Sequence, residues 1–335
     1  MATSIDRSDS RRLMIFAGRT SRALAESIGA CLGVELGAVE ATTFASGEIY
    51  VRYGESIRGA DVFLVQSVCG PVNDSLVELL LMIDAARLAS ARRIVAVIPY
   101  YGYARQDKKS APREPISARL MADLLEAAGA DRVLSMDLHA GQIQGFFRIP
   151  VDHMTAEQAL VDHFLARADV GEIEGPLAIV SPDVGRAKLC NHVAQKLDAA
   201  FAVVAKRRPR PGAAEVTLLI GDVRDHTAIM LDDMIDTGGT LAVAADALRA
   251  AGARRVLAAA THGVFSGDAF GRLEAAAIEE VVVTDTIPLE AVKPEAVRPD
   301  WLTVVPVGRI LADCIRSVFD DTSVSEIFAG ENQLF

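Results

Sequence analysis

The segment Ala128–His139, AGADRVLSMDLH, recurs as Ala251–His262, AGARRVLAAATH, with seven of twelve positions identical. A repeat separated by that length of chain calls for a fold built from two related units. In each copy a helical pattern closes on a glycine, Gly129 or Gly252, which is free to take the left-handed backbone that ends a helix. A short apolar run follows each glycine, as suits a parallel strand buried on both faces. Ala89–Pro99 repeats the theme, with Arg92 and Arg93 ahead of Ile94–Ile98. Helices alternating with short apolar strands predict an α/β fold whose mostly parallel sheets are flanked by helices.

The 335 residues give room for two such units, and 51% apolar content is ample for their cores. A net charge of −11 with no long Lys/Arg run argues against a nucleic-acid partner. Cys31, Cys69, Cys190 and Cys314 lie far apart, which fits isolated reduced thiols and a cytoplasmic setting. Met1–Arg12 is polar and reads as a frayed tail, and Leu13–Ala17 behind it is too short for a secretory segment. No window suits a membrane span; Leu76–Leu88 carries Glu78, Asp84 and Arg87 at helical spacing and reads as an amphipathic helix. A break near Pro150 divides the chain into 13–150 and 151–310, with a Gly/Pro-containing loop at Gly171–Pro176 inside the second part. The stretch 311–335 is expected to return to the first part, starting from a returning segment at Val304–Phe328.

The strongest chemical signal is Ala228–Thr240, AIMLDDMIDTGGT. An apolar strand runs into Asp232 and Asp233, then into a Thr237-Gly238-Gly239-Thr240 turn ahead of a helix expected over Leu241–Ala251. Glycines let the backbone approach a phosphate closely, and the free amides and threonine hydroxyls at a helix start donate to it. Two acids placed just past the strand can accept from a pair of ribose hydroxyls. Together these features point to phosphoribose binding, against the plainer alternative of a tight turn with Asp236 as helix cap.

Lys206-Arg207-Arg208-Pro209-Arg210 sets four cations within five positions on a Pro/Gly loop. Such a loop can close over a polyphosphate, where the alternative is a solvated hairpin. His139 and Asp183 each follow an apolar strand and so fall at carboxyl ends, where open α/β sheets bind ligands. With a nucleotide present they can hold Mg²⁺ by one contact each. The other histidines attract no role. Tyr100, Tyr101 and Tyr103 precede Arg105, Gln106 and Asp107; the tyrosines read as packing at a subunit contact, and Arg105 and Gln106 as nucleotide contacts. Phe44-Ala-Ser-Gly-Glu48 offers an aromatic face and a carboxylate, although alone it is an ordinary turn.

With these motifs in order, the chain resembles the ribose-phosphate diphosphokinases, or phosphoribosyl-pyrophosphate synthetases, of the class regulated by phosphate and ADP (class I). The resemblance runs from Leu13 to Phe328 and includes Ser56-Ile-Arg-Gly59, Ile98–Asp107, Arg113-Glu-Pro-Ile116, Asp137-Leu-His-Ala140, Gln142–Phe147, Ser181-Pro-Asp183, Lys206–Pro211 and Asp232–Thr240. It implies two similar phosphoribosyltransferase-like domains, the first on the ATP side and the second on the ribose 5-phosphate side. The implied reaction is attack of the C1 hydroxyl of ribose 5-phosphate on the β-phosphorus of MgATP. His139 and Asp183 would be metal-linked, and Lys206 and Arg208 would sit on a catalytic loop, with Arg208 also near the sugar phosphate. Asp232 and Asp233 would hold the ribose, and Asp236, Thr237, Gly238, Gly239 and Thr240 would cradle the 5-phosphate. ATP would be gripped by Arg105 and Gln106 and, across a subunit contact, by Phe44, Ser46, Gly47 and Glu48, which makes a homo-oligomer, a hexamer of three dimers, part of the mechanism. Ser323, Ser325 and Phe328 would belong to an allosteric anion site. The chain departs from the family pattern at Ser46 and Arg148, each in place of Asp, at Arg186 in place of a second Gly, and at Ala205 in place of the Asp before the catalytic lysine. The competing readings are a phosphoribosyltransferase, which needs neither the duplicated half nor the Lys206 loop, and a non-catalytic regulatory paralogue within a synthetase oligomer.

Overall fold

The computed structural model describes residues 11–173, 175–207, 216–276, 278–293 and 297–328. In chain order the first sheet and its helices comprise β1 (Leu13–Ala17), α1 (Arg22–Leu32), the hairpin β2 (Val39–Thr43) and β3 (Ile49–Tyr53), β4 (Asp61–Val65), α2 (Val72–Leu88), β5 (Arg93–Ile98), α3 (Ser117–Ala128), β6 (Arg132–Met136) and β7 (Val151–Met154). Then come α4 (Glu157–Asp169), β8 (Leu177–Ser181), α5 (Ala187–Lys196), β9 (Ala200–Arg207), β10 (Val216–Ile220), β11 (Thr227–Ile235), α6 (Gly239–Ala250), β12 (Arg255–Gly263), α7 (Ala269–Ala275), β13 (Glu280–Thr284), α8 (Leu289–Val292), β14 (Leu302–Val305) and α9 (Gly308–Phe319).

The strands form a five-stranded sheet, β1-β4-β5-β6-β7, and a seven-stranded sheet, β10-β9-β8-β11-β12-β13-β14. Both are parallel throughout, save that β10 runs antiparallel to β9 at an edge. The α/β expectation therefore holds. Because β7 pairs with β6, the first sheet continues four residues past the break expected at Pro150.

Strand alternation sends side chains into two layers. Val62 and Leu64 of β4 enter a core with Leu79 and Met82 of α2 and Met121 and Leu125 of α3, while Phe63 and Val65 enter the opposite core with Leu24 and Ile28 of α1. That second core also takes Leu311, Ile315 and Val318 of α9. The C-terminal helix thus closes the first sheet although β14, just before it, belongs to the second. Each fully buried Leu, Ile or Val contributes roughly 1.5–3 kcal/mol, which makes this crossing a strong join. The return is later than the expected Val304 start, since β14 pairs with β13. The second sheet repeats the plan, with Met230 facing Leu241 and Leu248 of α6, and Ile229 facing Phe164 of α4 and Val193 of α5.

Both repeat glycines take the predicted backbone: Gly129 caps α3 at φ 117° and Gly252 follows α6 at φ 91°. The third occurrence of the motif, after α2, uses Ser90 at φ 63° instead. Met1 to residue 10 of the expected tail lie outside the described residues, but Arg11 and Arg12 are anchored. Arg11 pairs with Asp321 at 2.5 Å, and Arg12 donates to the Arg58 carbonyl at 3.0 Å. Among the described residues no helix is long and apolar enough to cross a membrane.

Candidate active site

The carboxyl ends of strands from both sheets converge on one cavity of about 440 Å³, lined by residues that follow β5, β6, β8 and β11. The acid pair is carried by β11 itself. That strand runs through Asp232 and Asp233 to Ile235, so the acids lie within it and not just past its end as expected. Neighbouring strand positions face opposite ways, yet both acids line the cavity, and the Asp233 amide donates to Asp232 Oδ1 at 2.8 Å.

The following turn brings Gly238 to φ 75°, and α6 begins at Gly239, two residues earlier than expected. Asp236 does not cap this helix; the cap position is Gly238, with no side-chain bond. Leading amides of a helix have no intrahelical acceptor, and Gly238, Gly239, Thr240 and Leu241 line the cavity. Thr237 and Asp236 line the same wall, and Asp236 Oδ2 is ion-paired with Arg105. Both partners are partly exposed, so this pair is worth only about 0–1 kcal/mol.

Opposite β11, His139 places Nδ1 at 2.8 Å from Asp233 Oδ2. An ionised carboxylate only accepts, so Nδ1 carries the hydrogen of this bond. Asp183 lies after β8, its Oδ1 accepting from the Gly185 amide at 2.8 Å. From the same loop Arg186 reaches across with Nη2 at 2.7 Å from Asp233 Oδ2, Nε at 3.2 Å from Asp233 Oδ1 and Nη2 at 3.0 Å from the His139 carbonyl. Its side chain is 12% exposed, and its Nε is also 3.8 Å from Asp232 Oδ1.

Charge in the pair is uneven. Burial, followed by the adjacent charge of Asp233, holds the Asp232 carboxyl well above the usual carboxylate range. Burial acts the same way on Asp233, but the His139 bond and the Arg186 charge override it and hold that carboxyl well below the range. The two neighbouring carboxyls are thus driven in opposite directions, with a guanidinium and an imidazole gathered on Asp233.

For a divalent cation, His139 and Asp183 fit as single contacts. Each spends one atom inside the protein and both line the cavity. Among the described residues no cluster of three or more His, Cys, Asp or Glu is arranged to hold an ion alone. Two single contacts from His139 and Asp183 would suit Mg²⁺ carried on nucleotide phosphates, which keeps most of its ligands off the protein.

Several expected residues are placed elsewhere. Gln106 accepts from Ser117 Oγ at 2.6 Å, beside the cavity wall formed by Arg105, Asp107 and Lys108. Phe44, Ser46, Gly47 and Glu48 lie on the β2–β3 hairpin and do not line the cavity. There Phe44 is 54% exposed and Ser46 Oγ is 2.8 Å from Glu48 Oε2. Lys206 sits in β9 opposite Thr217 of β10; its side chain and Arg208 lie outside the described residues. Ser323 and Ser325 are exposed, while Phe328 packs against the core under α1 and α9.

The tyrosine reading needs correction at Tyr101. Tyr101 is 2% exposed and its hydroxyl donates to the Ala118 carbonyl at 3.0 Å, while Tyr100 stacks edge-on against His262. Both pack within the chain because the loop folds back over its own strand ends. Sequence reasoning also passed over His262, although the repeat aligns it with His139.

The sequence relationships agree with this geometry. Residues 13–129 match the N-terminal domain of ribose phosphate pyrophosphokinase, and residues 203–329 match the phosphoribosyl synthetase-associated domain. A ribose-phosphate pyrophosphokinase of Clostridium perfringens is 49% identical over 95% of this chain and 98% of its own. The chain belongs to the ribose-phosphate pyrophosphokinase family. A second pyrophosphokinase, from Streptomyces avermitilis, is 48% identical over 97% of this chain and 99% of its own. The crystal structure of phosphoribosylpyrophosphate synthetase from Mycobacterium smegmatis superposes with a TM-score of 0.85 at 46% identity, covering 93% of this chain and 100% of that one. This pyrophosphokinase fold is therefore shared over 93% of the chain.

Proposed function

We propose that this chain is a ribose-phosphate diphosphokinase, moving the β,γ-diphosphoryl group of MgATP to the C1 hydroxyl of ribose 5-phosphate. The observation that carries the reading is the single cavity in which a glycine-rich helix start, an acid pair, His139 and Asp183 meet. The 5-phosphate sits at Asp236–Thr240, where the helix start favours an anion. Asp232 and Asp233 face the ribose hydroxyls. The C1 oxygen bonds to the β-phosphorus, the bond from that phosphorus to the α,β-bridging oxygen breaks, AMP departs and the hydroxyl proton passes to solvent. Mg²⁺, when bound, offsets phosphate charge during this exchange. His139 and Asp183 would hold it from the protein side, and Lys206 and Arg208 would offset charge on the transferring group.

Arg105 and Gln106 contact the nucleotide from the same chain, and Phe44, Ser46, Gly47 and Glu48 reach it from a neighbouring one. The exposure of Phe44 on a hairpin away from its own cavity supports that assignment. We read the assembly as a hexamer of the phosphate- and ADP-regulated class, with Ser323, Ser325 and Phe328 at the regulatory site, working in the cytoplasm where its separated thiols stay reduced. An active species that sediments as a monomer would contradict the shared nucleotide site.

The deciding assay supplies purified protein with MgATP and ribose 5-phosphate. Equal amounts of AMP and 5-phosphoribosyl 1-diphosphate are expected; ADP as the nucleotide product, or no product at all, overturns the reading.

A further inference from the structure

His262 lies near the end of β12 at the repeat position matching His139, and it is 2% exposed. Its Nε2 is 3.1 Å from the carbonyl of Met136 and 3.2 Å from that of Asp137, both in the first repeat. Carbonyls only accept, so Nε2 carries the hydrogen and Nδ1 accepts from the Thr286 hydroxyl 2.9 Å away. Thr284 Oγ1, at 2.7 Å from the Thr261 carbonyl, meets the remaining acceptor of that cluster.

The two carbonyls held by His262 belong to the peptide that launches the His139 loop. Asp137 has φ 37°, a sparsely populated backbone for a residue with a side chain, and such conformations cost about 1–3 kcal/mol unless neighbours enforce them. The neighbours here are specific. Asp137 Oδ2 accepts from Thr261 Oγ1 at 2.6 Å and from the Ala156 amide at 2.9 Å, and the Leu138 amide donates to His153 Nε2 at 3.0 Å. Thr261 and His262 come from the second sheet, so half of this enforcement crosses between the two halves. Two residues further on, His139 enters the cavity and meets Asp233.

We infer that His262 is a positioning residue for diphosphoryl transfer: from the second repeat it grips the Met136–Asp137 backbone of the first and sets the direction in which His139 enters the cavity. The inference rests on the reading of His139 as a site residue. Its energetic logic is that a displacement of about 1 Å in a positioned group can lower turnover ~100-fold. A glutamine at 262 keeps a donor for the carbonyls and an acceptor for Thr286, while an alanine keeps neither.

The test is a double-mutant cycle in steady-state kinetics on the full chain, with folding checked by thermal melting. His262→Ala is expected to lower kcat roughly 10–100-fold with the KM for ribose 5-phosphate changed less than about threefold, and His262→Gln to recover most of the loss. In a His139→Ala background, His262→Ala is expected to have almost no further effect on kcat, because its route of action is already gone. Should His262→Ala not fold, Thr286→Val, which removes the partner of the ring's Nδ1, carries the same cycle, and full kcat in it overturns the inference. Independent, multiplying losses from the two histidines, or full kcat in folded His262→Ala, overturn the inference while leaving His139 in place. Full kcat in His139→Ala instead removes the reading of His139, and the inference falls with it.

Discussion

His139 Nδ1 and Asp233 Oδ2 are 2.8 Å apart, so a loop from the first sheet is bonded to a strand of the second inside the candidate active site. Arg186 completes the cluster from a third element. A buried charge pair weighs most when one partner is removed, because the other is then left without compensation.

Asp233→Ala should therefore destabilise the fold by up to about 3–5 kcal/mol, since it leaves the enclosed Arg186 guanidinium with only the more distant Asp232 carboxyl, 3.8 Å away, for a counter-charge. Asp233→Asn, which keeps the shape, should lose less. Chemical denaturation of the three proteins measures the difference, and equal midpoints for Asp233→Ala and the parent would contradict the burial argument.

The pair also predicts a pH dependence of opposite signs. The raised Asp232 carboxyl keeps its proton in the fold after an unfolded aspartate has lost it near ~4, so stability falls as pH rises from there through its folded value. Asp233, despite burial, is depressed by His139 and Arg186, so its contribution is complete above ~4 and is lost as pH falls through its folded value. Asp232→Asn imitates the protonated acid and removes the first effect alone. It should melt higher than the parent at pH 7, with the gap closing as pH approaches ~4; a gap that is constant with pH would show that Asp232 is ordinarily ionised.

Arg186 occupies charge that a divalent cation would otherwise feel. At about 4 Å and an effective dielectric near 20, one such charge is worth on the order of 4 kcal/mol. Arg186→Gly is expected to tighten Mn²⁺ binding by at least about tenfold, read by electron paramagnetic resonance in the absence of nucleotide. Unchanged affinity would mean that the guanidinium does not share the cation's field.

Lys206→Ala should cut turnover by roughly 10²–10³-fold, the scale of losing one donor to developing charge, with ribose 5-phosphate affinity by calorimetry within about twofold of the parent. Equal turnover would remove Lys206 from the chemistry.

Local pattern made much of this legible before the structure. Gly129 and Gly252 announced two helix ends, apolar runs announced buried parallel strands, and the glycines after Asp236 announced an anion-ready helix start. Those features depend on neighbours within a few residues. The positions of Arg186, Arg105 and His262 depend instead on contacts 47, 131 and 126 residues away, which no local spacing encodes. The same applies to Tyr101, whose exposure is decided by how its loop folds back onto α3. Asp137 is a further case: nothing in Met136-Asp137-Leu138 demands φ 37°, and groups closing around it from both sheets, among them Thr261, His262 and His153, sustain that backbone.

Everything proposed for catalysis presumes where the sugar phosphate binds. A crystal of the protein grown with ribose 5-phosphate decides this directly. The account predicts the 5-phosphate within hydrogen-bond distance of the Gly238, Gly239 and Thr240 amides, with ribose hydroxyls on Asp232 or Asp233. Phosphate density elsewhere, or a cavity still filled by the Arg186 side chain at saturating sugar phosphate, would contradict it.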